Sequence, residues 1–326
     1  MKRIKKDMFF RPLGSKVEFF CDTIMYMKTF VYHENASGKA SFTKTGDAWS
    51  IDDNLKIFAV ADSPLRCLIR DTKQYPFDDY GYEAASKFCE RFIQHCKTHL
   101  SSKDFSLKTL KDILIESNND IKKLNIQLGK KFKDPLNYDL AETVGAGAVI
   151  KGHTLYYGGL EDCYVNVLRG NNLENVAKWD YQIVKASKYI DKLSNEDKLK
   201  DYIPKELKNR LKKENEWEPC WCNYLRNNKN ALDEEGNLVG WGCFTGEKEA
   251  EKFIQIHSIK LKKNDHILLF SDGMIPVLED KGFINWFIQN VTLSFYFQYQ
   301  MRSKIMELLN GSEEANKEKT LIYIQY

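Results

Sequence analysis

The most decisive hydrophobic pattern near the N-terminal third lies in residues 54 to 62, where Ile57-Phe-Ala-Val-Ala61 is apolar without a break and ends in Asp62, followed by Ser63-Pro64. A short unbroken run of strand-forming residues predicts a buried strand that feeds a loop. From Glu83 the period changes. Ala84, Ala85, Phe88, Cys89, Phe92, Ile93, Cys96 and Leu100 recur at three and four, the spacing of one helical face. A second helix is predicted from near Ser106, carrying Leu107, Leu110, Ile113, Leu114, Ile121, Leu124 and Leu128, with Gly129 as its stop. Three short runs rich in Val, Tyr and Ala follow, over 143–151, 153–159 and 163–169, separated by Lys151-Gly152 and Gly158-Gly159, and predict an antiparallel meander. A further strand pair, 253–261 and 266–270, is expected to be joined through Lys262-Lys-Asn-Asp265. A helix near 298–309 and a final strand over 321–325 complete the pattern. Two helices, a meander, then strands and a helix imply an α+β layered fold.

Between these parts, residues 171–240 are dominated by Lys, Asp, Glu and Asn, with helical stretches expected around 181–193 and 205–214. This reads as an insertion or flap within one domain spanning 1–326. Its Trp217, Trp221 and Tyr224 lie among basic residues, but the interleaved acids favour a solvated flap that shapes access to a site over a nucleic-acid surface.

Composition narrows the picture. With 326 residues, 43% hydrophobic and 29% charged, the chain is long enough for a large core and is not a disordered or fibrous sequence. A net charge of +3 is too little to imply a nucleic-acid or membrane binder by bulk electrostatics, so any anionic partner must be held locally and no nucleic-acid or membrane partner is expected. The basic start, Met1 to Lys6, lacks the apolar stretch of an export signal, and no window approaches the roughly 18 apolar residues of a membrane span. A soluble cytoplasmic protein is the expectation. The eight cysteines then read as reduced, buried thiols. Cys220-Trp-Cys222 is followed only by Cys243, which falls short of the two pairs of a structural zinc site, and the four-residue spacing of His95 and His99 has no catalytic glutamate beside it.

Chemistry concentrates at strand ends. Asp62 and Asp272 each terminate a strongly apolar run, Ile57-Phe-Ala-Val-Ala61 and Ile267-Leu-Leu-Phe-Ser271. Taken singly, an aspartate there is a turn former. Two matching cases point further, because carboxylates gathered in a poorly solvated cleft take up protons unless a cation neutralises them, and Mg²⁺ or Mn²⁺ are the natural oxygen-binding cations.

The segments in order are Asp47-Ala-Trp, the run into Asp62, Gly145-Ala-Gly-Ala148, Gly159-Leu-Glu-Asp162-Cys-Tyr, Asp265-His-Ile-Leu-Leu-Phe-Ser-Asp272-Gly273 and Lys317-Glu-Lys-Thr-Leu-Ile-Tyr-Ile324. This succession resembles the metal-dependent serine/threonine protein phosphatases of the PPM, or two-C, type, over about residues 35–170 and 240–326. The resemblance implies a four-layer α-β-β-α sandwich, two antiparallel sheets flanked by helices, with two Mg²⁺ or Mn²⁺ ions at one end. It also implies hydrolysis of phosphoserine or phosphothreonine in phosphoprotein substrates by a metal-activated water, without a covalent enzyme intermediate. In that mapping Asp62 bridges the metals, Asp272 is the Ser-Asp-Gly ligand, Asp162 serves an additional metal, and Asp47 lies in support.

Three departures accompany it. Ser63 follows Asp62 where relatives have glycine, leaving a carbonyl ligand with less room. Lys317-Glu318 stands where relatives place a metal carboxylate, and Glu318 is expected to reach the metals only if the backbone there leaves regular strand alternation. The phosphate-binding arginine is missing, with Lys44 in its neighbourhood, and Arg66 and Arg70 of the loop after Ser63 offer replacements. Two functional readings follow: an active phosphatase, and a catalytically inactive pseudophosphatase acting as a protein-binding or regulatory module.

Overall fold

The computed structural model describes residues 27–35, 46–63, 80–100, 105–130, 132, 140–179, 225–232, 235–236, 238, 240–291 and 296–326. Its strands are β1 (Lys28–Glu34), β2 (Ala48–Asp52), β3 (Ile57–Asp62), β4 (Val144–Lys151), β5 (Thr154–Leu160), β6 (Tyr164–Arg169), β7 (Glu174–Asn175), β8 (Gln255–Lys260), β9 (His266–Phe270) and β10 (Lys319–Gln325). Among the described residues they form two five-stranded sheets, in the orders β1-β10-β9-β6-β7 and β2-β3-β4-β5-β8. All pairings are antiparallel. The helices are α1 (Gly81–Leu100), α2 (Leu107–Gln127), the single turn α3 (Ile275–Leu278), α4 (Lys281–Asn290) and α5 (Phe297–Leu308).

Three apolar clusters among the described residues stack these elements into the expected α-β-β-α layers. Alternation along each strand explains the stacking, because successive side chains face opposite ways. In β3, Ile57, Ala59 and Ala61 pack beneath α1 and α2, whereas Phe58 and Val60 enter the core between the sheets. In β9, Ile267 and Leu269 enter that same inter-sheet core, whereas Leu268 and Phe270 pack with α4 and α5. Both faces of the central strands are therefore buried, which is why they read as continuous apolar runs. α2 starts where Ser106 and Thr109 cap each other's backbone N–H groups. α1 approaches β4 closely because Gly147 has no side chain: a Cβ there would stand 2.2 Å from the Phe92 ring.

Two expected pairings are corrected. β4 and β5 form a hairpin, but β6 leaves for the other sheet, where it pairs with β9. The chain changes sheets at Glu161, whose φ of 55° lies in the left-handed region. Likewise β8 pairs with β5, and β9 with β10 and β6. The 261–265 connection crosses between sheets and is held by Arg169, whose Nε and Nη2 donate to Asp265 at 2.9 and 2.7 Å. A short polar connection looks the same in sequence whether it closes a hairpin or switches sheets. β1 and α4 were not foreseen by the apolar pattern. The expected helices near 181–193 and 205–214, with Cys220 and Cys222, lie outside the described residues. Cys89, Cys96, Cys163 and Cys243 are buried free thiols, as expected.

The segment from Leu225 onward is tied down by Arg226, whose Nη1 donates to Glu142 at 2.6 Å with both side chains almost fully buried. Replacing Arg226 with Met strands the Glu142 carboxylate and is expected to cost about 3–5 kcal/mol in urea unfolding, most of which returns when Glu142 is also replaced by Met. Equal stability of the single and double variants would contradict this.

Candidate metal centre

The centre grows out of strand parity. Asp62 shares the face of Phe58 and Val60, Ser271 continues the face of Ile267 and Leu269, and Thr320 continues that of Ile322 and Ile324. Asp47 precedes β2 on the side of Trp49 and Ile51, which also pack against the inter-sheet core. At one end of the sandwich the apolar layer therefore gives way to a polar one.

Hydrogen bonds fix this layer. Ser271 Oγ and Thr320 Oγ1 each donate to Asp47 Oδ2 at 2.6 Å. Glu318 Oε2 accepts from the backbone N–H groups of Gly46 and Asp47 at 2.6 and 2.8 Å. Thr143 Oγ1 donates to the Asp62 carbonyl at 2.6 Å. Gly273, at the start of the turn after β9, lies so close to the 318 backbone that a Cβ would stand 1.8 Å from the Glu318 carbonyl oxygen, so no side chain fits there. That contact locks the Asp272 turn onto the segment that carries Glu318. Glu161 Oε1 accepts from Gly242 N–H at 2.8 Å and the Glu161 carbonyl from Trp179 Nε1 at 2.9 Å, holding the turn that bears Asp162.

Too many acids meet here for all to be charged in a metal-free protein. Burial pushes the Asp62 carboxyl well above the usual carboxylate range, and the charges of Asp47, Asp272, Asp162 and Glu318 push it further. Asp162 is raised to about 8 by burial, then by Asp272 and Glu161. Asp47 rises only to about 6, because the Ser271 and Thr320 hydroxyls offset its burial. Asp272 is also raised by burial, opposed by Lys317.

The arrangement suits a hard divalent cation. One carboxylate oxygen each from Asp47, Asp62 and Glu318 lie within 4.8 Å of one another. Oxygens around such an ion sit about 2.1 Å from it, so small side-chain movements bring this set into coordination. Asp47 Oδ1 and Asp162 Oδ1 are buried without a hydrogen-bond partner, a costly state that a bound cation would relieve.

The structure thus gathers Asp47, Asp62, Asp162, Asp272 and Glu318 at one place, with Ser63 buried beside them: a Cβ built on Gly46 would meet Ser63 Cβ at 3.1 Å. Lys44, Arg66 and Arg70 lie outside the described residues. Glu318 reaches the cluster because residues 317 and 318 precede β10 and follow a 3-10 turn (Glu313–Asn316), so strand alternation does not apply to them. Ser271, Thr320, Thr143 and Lys319 were missed as contributors to the centre. The face parity of β9 and β10 is the signal that would have found the first two.

No family model matches the chain, and no curated protein sequence matches it. Solved structures do. The catalytic domain of the serine/threonine protein phosphatase PstP in complex with two manganese ions is similar at 14% identity and a TM-score of 0.51, over 92% of this chain and 98% of that one. The Mycobacterium tuberculosis serine/threonine phosphatase PstP/Ppp is similar at 13% identity and a TM-score of 0.53, over 92% and 99%. A bacterial serine phosphatase is similar at 10% identity and a TM-score of 0.53, over 92% and 97%. The fold of this chain is therefore that of the serine/threonine phosphatase domains, with a cluster of acids at one end of its sandwich.

Proposed function

We propose that this protein is a metal-dependent phosphatase, using Mg²⁺ or Mn²⁺ to hydrolyse phosphoserine and phosphothreonine in protein substrates. The single observation that carries the reading is the convergence of Asp47, Asp62 and Glu318 oxygens within 4.8 Å, beside a buried Asp47 oxygen without a partner. A bound ion supplies positive charge against a phosphoryl group and lowers the pKa of a water. Asp62 and Asp272 are the principal ligands in this proposal, with Glu318, Asp162 and the Ser63 carbonyl completing the set. Asp47 is held against the centre by the Ser271 and Thr320 hydroxyls, which keep its Oδ2 oriented. Lys44, Arg66 and Arg70 are proposed to receive the phosphate. No helix among the described residues is long and apolar enough to cross a membrane. A phosphoprotein is the expected partner.

One observation favours the second reading, a non-catalytic module that binds proteins through the same fold: Lys317 Nζ lies 3.8 Å from Asp272 Oδ2, placing an ammonium against a proposed metal carboxylate. The two readings separate in one assay. The enzyme is expected to release p-nitrophenol from its phosphate ester, and phosphate from a phosphothreonine peptide, only with Mn²⁺ or Mg²⁺, with no release in EDTA. A folded chain that binds Mn²⁺ and releases neither product establishes the non-catalytic module instead.

A further inference from the structure

Lys317 is not a loose surface lysine. Its ammonium lies 2.9 Å from Glu314 Oε1 and 3.8 Å from Asp272 Oδ2. The turn that carries it is pinned from beneath by Lys319, whose side chain has no exposure and whose Nζ donates to the carbonyls of Glu314, Ala315 and Lys317 at 2.9, 3.2 and 2.7 Å. From the other side, the Glu318 carboxylate is fixed by the Gly46 and Asp47 N–H groups, and the Asp272 turn is locked to the Glu318 carbonyl at Gly273. Asp272 and Lys317 are therefore held face to face by two segments that cannot slide apart independently.

In the other half of the centre the nearest ammonium among the described residues is that of Lys319, which acts on Asp47 through its charge while its Nζ donates to the Glu314, Ala315 and Lys317 carbonyls. Ser271 and Thr320 give Asp47 hydroxyl donors, and one Asp47 oxygen lies within 4.8 Å of oxygens of Asp62 and Glu318.

We propose that the centre is divided: Lys317 serves Asp272 as a tethered counter-cation, and one divalent ion held by Asp47, Asp62 and Glu318 completes the centre in place of a pair of ions. This rests on the metal-centre reading above and changes it at two residues: Asp272, which Lys317 neutralises in place of an ion, and Asp47, which joins the ligands. A second divalent ion at Asp272 would have to displace the ammonium or lie against it, and like charges in a poorly solvated cleft repel strongly. Glu314 adds to the arrangement by drawing the Lys317 ammonium to the rim, where it still faces Asp272.

The test counts ions and does not depend on turnover. Equilibrium dialysis against Mn²⁺ with metal analysis is expected to give one ion per chain, with the electron paramagnetic resonance signal of an isolated ion. Lys317→Asp, which removes the cation and adds a carboxylate at a half-exposed position, is expected to raise the count to two and to produce the spectrum of a spin-coupled pair. Two ions with a coupled spectrum in the unsubstituted chain would overturn the division while leaving the metal centre standing. No bound Mn²⁺ in either chain would overturn the metal centre itself. A folded Lys317→Asp chain that still holds one ion would also overturn the division. Should that variant not fold, the count on the unsubstituted chain decides alone.

Discussion

Replacing Asp62 with Asn is expected to lower Mn²⁺-dependent hydrolysis of p-nitrophenyl phosphate by at least about 100-fold and, in the absence of metal, to raise the unfolding temperature. The two effects share one cause. β3 is apolar along its whole buried length and delivers a carboxylate to a place already crowded by Asp47, Asp162, Asp272 and Glu318. Without a cation, that carboxyl is penalised first by burial and then by each of these charges. Asparagine has nearly the same shape and leaves intact the bond from Thr143 Oγ1 to the residue 62 carbonyl, so relief of repulsion dominates. A rise of about 2 °C or more corresponds to roughly 1 kcal/mol of relief for a domain of this size class. The activity loss is a lower bound, because losing an outer partner of a metal ligand typically costs 10–100-fold by itself, about what a directly coordinating oxygen must exceed. Such an exchange of stability for activity is what strained functional sites produce. Unchanged hydrolysis, or a less stable metal-free variant, would show that Asp62 is a structural residue and not a ligand.

The second large effect is an inverted pH dependence of stability. Asp47 and Asp162 have ordinary values of 3.8 in the unfolded chain and are raised by burial to about 6 and about 8 in the fold. Between those limits the folded protein binds more protons than the unfolded one, so the unfolding free energy falls as pH rises. Their stabilising contribution is full below about pH 4 and is lost progressively as pH passes through 6 and 8. Asp52 and Asp120, whose burial is outweighed by Lys97 and by Lys123 with His95, titrate below 3.8 and leave this window untouched, whereas His257 and His266, both lowered by burial, oppose the trend below 6.5 and offset part of it. A tenfold difference in proton affinity between the folded and unfolded chain is worth about 1.4 kcal/mol, so the metal-free protein is expected to lose on the order of a few kcal/mol between about pH 4.5 and 8.5 in urea unfolding. Saturating Mn²⁺ reverses the slope, because cation binding favours the ionised carboxylates and grows with their ionisation. A metal-free stability that rises through the same window would contradict the crowded, desolvated cluster.

Much of this was legible in the chain. The uninterrupted run into Asp62 announces a doubly buried strand, because only a strand covered on both faces lacks polar alternation. The three-and-four recurrence from Ala84 to Cys96 marks the face of α1 that lies on β4. What stayed hidden depends on three-dimensional choices with no local signature. The turn at Glu161 switches sheets by one left-handed residue, and glutamate is not a residue that advertises that conformation. Ser271 and Thr320 look like ordinary polar strand ends until the facing partner, Asp47, is known to sit more than 200 residues earlier. Lys317 and Glu318 looked incompatible with a shared site under strand alternation, and only the preceding 3-10 turn lets both approach it. Lys319 carried no functional signal at all, since a buried lysine that caps carbonyls is defined entirely by its surroundings.

The most direct test of the central claim, that carboxylates from distant parts of the chain meet to hold a divalent ion, is anomalous diffraction from crystals grown with Mn²⁺. The expected result is a manganese peak about 2.1–2.2 Å from an Asp62 oxygen, with Asp47 or Glu318 completing the contact. A difference map without manganese at this cluster, from crystals in which the protein is otherwise intact, would contradict it.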